Sequence, residues 1–147
     1  MNPNSPDPFN LHRFVTAQHD SYVQALSELK RGRKTSHWMW FIFPQFAGLG
    51  RSEIAHLYAI KTVREAEAYL AHPILGPRIL ECCDAVLLVK GRTASEIFGF
   101  PDDLKLRSSI TLFSTVAEPG SVFDFVLEQF FGGDADRRTL ELLDAHS

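Results

Sequence analysis

Two groups of residues in this 147-residue chain have types and spacing suited to chemistry. The first is His37, Trp38, Trp40, Gln45, Arg51 and Ser52, gathered in one short stretch. An indole face stacks a planar ring, and a buried indole N–H needs a partner, so tryptophans beside polar side chains suit an aromatic ligand. Arg51 and Ser52 follow Gly48-Leu49-Gly50, a loop whose backbone amides can reach a phosphate. Together these six fit a pocket for an anionic, nucleotide-like molecule. They also fit a plainer role, with the tryptophans as core anchors and the glycines supplying a tight turn.

The second group is Lys105, Ser108 and Ser109, with Thr111 beside it. Spacings of three and four make them neighbours on a helix, next to an apolar stripe. A cation-bearing polar stripe at the core margin suits an anionic substrate. It equally suits close helix packing, in which Ser and Thr bond the carbonyl one turn back. The two groups form one site only if Arg51 and Lys105 converge.

Other candidates are weaker. Asp102 and Asp103 suit the positive end of a helix dipole. Glu53, Glu65, Glu81 and Asp84 include candidate general acids, but paired carboxylates must meet in space. No catalytic residue is assigned. No cofactor is expected: there is no G-x-G-x-x-G, no H-E-x-x-H and no ligand spacing among the six histidines. Ser27–Lys30 matches S-x-x-K without its companion motifs, and Gly32–Thr35 mimics the end of a P-loop without the upstream glycine. Cys82 and Cys83 are the only cysteines. On a helix they point about 100° apart, which suits buried reduced thiols rather than a metal or a bridge.

The elements that must position these residues read as helices. Apolar residues from Leu11 to Lys30 follow helical spacing, with a break near His19-Asp20, and Lys30-Arg31-Gly32 is a stop. The aromatic segment to Pro44 has neither period and is expected to be a short buried helix. Thr62-Val63-Arg64-Glu65 and Thr93-Ala94-Ser95-Glu96 are capping boxes. His72-Pro73 ends the helix that the first one opens. Further helices are expected from Ile74 or Pro77 to Val89, from Pro101 to Ala117, from Ser121 to Phe131 and from Asp136 to Ala145. The expected fold is all-α: a loose segment over residues 1–8, then one compact domain of six to eight short helices over 9–147.

Composition narrows the classes further. A chain 45% hydrophobic and 22% charged is globular, not disordered. A formal charge of −3 does not suit a general nucleic-acid binder. The charge is uneven: residues 118–147 hold seven acids and two bases. No apolar run approaches the roughly 20 residues of a membrane helix. The N-terminus has no basic and apolar regions of a secretion signal, so a cytoplasmic location is expected. Aromatics are abundant, with 12 Phe, 3 Tyr and 2 Trp.

One string is rare enough to carry a resemblance. His37-Trp38-Met39-Trp40-Phe41-Ile42-Phe43-Pro44-Gln45, then Gly48-Leu49-Gly50-Arg51-Ser52, resembles the signature of a bacterial and fungal family catalogued as domain of unknown function 1810. Tyr58-Ala59-Ile60, Tyr69-Leu70-Ala71-His72-Pro73, Ile97-Phe98-Gly99 and Lys105-Leu106 with Ser108-Ser109 and Thr111-Leu112-Phe113 extend it. The resemblance covers about residues 9–131. It implies a mostly helical protein and no established activity; the calpastatin label carried by some members does not suit this sequence. The Tyr58, Lys61, Glu65-Ala66 region is more distantly similar to the NADAR group, which implies N-glycosidase chemistry without transferring any site residue.

Two functions follow as expectations. One is a binder or enzyme for a nucleotide-like or phosphorylated small molecule, with an N-glycosidase as its narrowest form, using His37, Trp38, Trp40, Gln45, Arg51, Ser52, Lys105, Ser108 and Ser109. The alternative is a non-enzymatic protein-interaction module or homodimeric helical scaffold, with Phe123, Phe125, Phe130 or Phe131 as anchors.

Overall fold

Helix starts and stops in this chain are written in side chains three or four residues apart, and most form as their chemistry dictates. The computed structural model of the chain describes residues 6–146. Among the described residues there are ten helices: α1 (His12–His19), α2 (Tyr22–Arg31), α3 (Met39–Ile42), α4 (Glu53–Leu57), α5 (Val63–Ala71), α6 (Leu75–Leu87), α7 (Ala94–Phe98), α8 (Asp102–Val116), α9 (Val122–Phe131) and α10 (Arg137–Ala145). That is more than the six to eight expected. The chain does break at Asp20-Ser21, and α4 is a single turn with no buried residue, so it leaves no apolar stripe in the sequence.

Local chemistry accounts for most boundaries. Gly32 takes the left-handed conformation, φ 73°, and closes α2. Thr93 and Glu96 form the reciprocal box at α7. At α5 only half of the expected box forms. The Thr62 hydroxyl accepts from the Glu65 amide at 3.0 Å, but the Glu65 carboxylate is turned to the Lys61 amide and to Arg13. His72 ends α5, and its Nδ1 accepts the Ile74 and Leu75 amides that open α6. Of the segment expected to be loose, residues 1–5 lie outside the described residues. Asp7 accepts from the amides of Leu11 and His12 at the start of α1.

The core is organised around α8. Seven of its residues, Leu106 and Ser108 to Phe113, are buried, because α3, α5, α7, α9 and α10 all pack against it. A stretch such as Ser108–Phe113, buried at every position, cannot be amphipathic in the ordinary way. Three of its hydroxyls turn back onto its own carbonyls: Ser108 to Leu104 at 3.1 Å, Thr111 to Arg107 at 2.8 Å and Thr115 to Thr111 at 2.9 Å. Rings link the layers, from Phe14 edge-on to Tyr69, then to Phe113, which stacks on Phe123 at 5.6 Å. Phe123 is thus core and not the interface anchor it was expected to be; Phe125, 60% exposed, faces solvent. The cysteines are buried and free. One parallel bridge, Phe46 to Ile60, joins the loops on either side of α4. Among the described residues no helix is long and apolar enough to cross a membrane.

Candidate functional site

The signature segment is held in place by an acid. Glu28 points inward from α2, is fully buried, and accepts five hydrogen bonds. The donors are the amides of Thr35 and Ser36, the Ser36 hydroxyl, the Gln24 amide and the Trp38 indole, at 2.6–3.0 Å. Burial pushes this carboxyl up, but the Ser36 hydroxyl, the Gln24 amide and the two backbone amides outweigh it and hold the group well below the usual range. Charge is stabilised here by dipoles, since among the described residues Glu28 has no ion-pair partner. The loop between α2 and α3 is therefore wound around one anion, and Trp38, 1% exposed, is locked into the core.

Beyond Trp38 a chain of charges runs outward. The Lys34 ammonium sits 5.1 Å from the centre of the Trp38 ring, donates to the Ser36 carbonyl at 2.6 Å, and pairs with Asp102 at 2.8 Å. The other oxygen of Asp102 lies 3.4 Å from the Lys105 ammonium. Lys105 in turn sits 4.9 Å from the centre of the Trp40 ring. Two cations share one carboxylate, so one positive charge is in surplus. It falls on Lys105, whose side chain is 26% exposed against 6% for Lys34 and whose contact with Asp102 is the longer.

Trp40 also borders a cleft, with Gln45, Gly48, Gly50, His56 and Tyr58 among its walls. It encloses about 320 Å³ with its open mouth included, yet between the walls there is room for about one water. No Asp, Glu, Lys or Arg lines it.

The structure brings some sequence-selected residues together and separates others. Trp40 and Gln45 share the cleft, and Lys105 covers a face of Trp40. Trp38 lies behind them in the core. Ser108 is buried and bonded within α8; Ser109 is fully buried, with its hydroxyl unpartnered among the described residues. His37 and Arg51 are exposed, and the Ser52 hydroxyl caps α4 by accepting from the Ala55 amide. Neither Arg51 nor Lys105 lines the cleft. Sequence reasoning passed over Glu28, His56 and Tyr58 as site residues and gave Asp102 only a dipole role. The three-residue spacing of Asp102 and Lys105 was the available signal for their pairing; nothing local signals Lys34. Among the described residues no group of three or more His, Cys, Asp or Glu is placed to hold a metal ion.

Comparisons with known proteins agree with this architecture. The sequence profile of a family described as "Protein of unknown function (DUF1810)" matches residues 8–143, further toward the C-terminus than the 9–131 expected. The chain is also similar to the crystal structure of the conserved hypothetical protein Rv1873 from Mycobacterium tuberculosis. Identity is 51%, with 94% of this chain and 99% of that one covered, and the TM-score is 0.92. No curated protein matches. The NADAR similarity finds no support in these comparisons. With its profile matched over nearly all its length and its fold shared with a half-identical relative, the chain belongs to the DUF1810 family, whose function is not established.

Proposed function

We propose that this protein binds an anionic, nucleotide-like small molecule, with its anionic part at Lys105 and its ring on the Trp40 side of the cleft. The observation that carries this reading is the surplus ammonium of Lys105, held over Trp40 and only loosely paired with Asp102. A lysine with free donor capacity on an aromatic face favours a phosphate or carboxylate joined to a planar group. Gln45 adds an amide that can read a ring edge, and Arg51 adds a second cation next to Gly50 of the cleft wall. An N-glycosidase is the narrower form of this reading. It needs a carboxylate near the sugar, and Asp102, tied to Lys105, is the residue suited to supply it.

Thermal-shift measurements against NAD, ADP-ribose, flavins and phosphosugars test the proposal. A ligand at one hundred times its dissociation constant stabilises by roughly 2.7 kcal/mol. Lys105→Ala and Trp40→Ala remove that shift if the site is as described. If none of these compounds shifts the melting temperature, the proposal is wrong.

A second reading rests on Phe100 and Phe125, 78% and 60% exposed. Exposed aromatics suit a protein partner or a second copy of the chain. A solution mass equal to two chains, returned to one by Phe125→Ser, supports it.

A further inference from the structure

Among the described residues, the one helix that contributes nothing to the core stands beside the cleft. α4 has no buried residue, yet Ala55 and His56 form one of the cleft walls. Its C-terminal end is tied down: Arg13 donates to the carbonyls of Leu57 at 2.8 Å and Ala59 at 2.9 Å, and Tyr58 packs against Phe14 and Phe41. Its N-terminal end lies against the Gly48–Ser52 loop. There Gly48 holds φ 103°, and Gly50 lies so close that a Cβ on it would be 2.5 Å from the Ala55 Cβ. A seal between a glycine and an alanine buries almost no apolar surface, so it is cheap to break.

We infer that α4 is a lid, hinged at the Arg13 contacts, that opens at its Ser52 end to admit an uncharged planar heteroaromatic ring between Trp40 and Tyr58. The inference rests on the ligand reading above and adds the class of the ring to it. The walls select that class. Two aromatic side chains favour stacking, Gln45 and His56 offer donors and acceptors, and the absence of Asp, Glu, Lys and Arg from the walls disfavours a charged ring. The present width admits about one water, so entry of a ring requires the lid to move. The local hydrogen bonds of α4 are few, with Ala55 held by the Ser52 hydroxyl and His56 by the Ser52 carbonyl. Such a turn opens at small cost.

Gly50→Ala tests the lid without any ligand. The new methyl meets a methyl that cannot rotate away, so the loop and α4 must part, and a hinged α4 yields by lifting. Acrylamide quenching of tryptophan emission should rise about twofold as Trp40 is uncovered, and amides 53–58 should exchange about tenfold faster, with α8 amides unchanged. Gly50→Ala/Ala55→Gly removes the collision and should return quenching to the wild-type value. Unchanged quenching and exchange in Gly50→Ala, or no return in the double variant, overturns the lid and leaves the Lys105 reading standing. With wild-type protein, ADP-ribose should slow exchange at 53–58 while orthophosphate, which has no ring, should not. A melting shift by ADP-ribose without that protection also overturns the lid. A lid that lifts in Gly50→Ala, in a protein that no anionic compound stabilises, overturns the ligand reading alone.

Discussion

The indole N–H of Trp38 donates to a carboxylate oxygen of Glu28 across 3.0 Å in the protein interior. One residue of the family signature is thereby fixed by an acid from a different helix, and the other tryptophan of the segment is left to face the cleft. That carboxylate is a structural anchor. Its four other donors come from the same loop and from its own helix.

Replacing the anchor should therefore cost far more than an ordinary polar substitution. Glu28→Gln keeps the shape but turns an amide N–H₂ toward groups that already donate. We expect a loss of about 3 kcal/mol, since hydrogen bonds to a buried charge are among the stronger ones. Urea denaturation followed by tryptophan emission measures it. A loss under about 0.5 kcal/mol, the range of a neutral surface change, would rule out the anchoring role.

The same group sets an acid limit on stability. The ordinary glutamate value is near 4.5, and in the folded protein Glu28 titrates well below it. Above that value both folded and unfolded chains carry the charge, and the contribution is complete. As pH falls through it, the unfolded chain takes up the proton first, so stability drops. Asp124, lowered by the Ser114 hydroxyl and the Gly120 amide, acts in the same direction from its ordinary 3.8. Unfolding free energy should fall between about pH 5 and pH 3, and the slope should be shallower in Glu28→Gln. Equal slopes would mean that Glu28 is not the group responsible.

The vicinal thiols should be silent in the native state. Burial pushes Cys82 up to about 12 and Cys83 well above the ordinary thiol value. The thiolate is the nucleophile, so native protein at neutral pH should react with a disulfide reagent at least about a hundredfold more slowly than unfolded protein. Rapid reaction of either thiol in buffer would show that α6 opens readily.

The α5–α6 corner should tolerate no side chain at Gly76. A Cβ there would lie 2.1 Å from the Leu70 carbonyl oxygen, and backbone cannot yield as a flexible side chain does. Gly76→Ala is expected to cost about 2–3 kcal/mol, a fall in Tm of roughly 6–10 °C. Calorimetry measures it, and a Tm within a degree of wild type would contradict the contact.

The limits of the helices were legible because their causes are local. Gly32 after Lys30-Arg31, Thr93 before Glu96, Thr62 before Glu65 and Pro101 before Asp102 each act within one turn. α4 escaped because a turn that buries nothing has no hydrophobic period to read. The candidate site was legible only as a neighbourhood. Trp40, Gln45 and Lys105 were selected by residue type, and the fold sets them around one ring and its cleft. Trp38 was selected by the same criterion and lies in the core.

By itself, then, the sequence determined that the chain folds into one body of short helices and which segment carries the family signature, since caps, stops and rare strings depend on near neighbours. Only the tertiary structure decided what the polar groups do. Lys34 meets Asp102, and Arg13 meets Glu65 across 52 positions, because helices far apart in the chain pack side by side. Trp38 and Trp40 are two residues apart and nearly identical in local surroundings. One is buried on Glu28 and the other faces the cleft, because α2 supplies a carboxylate to Trp38, whereas Trp40 lies between the Lys105 ammonium and a cleft walled in part by α4.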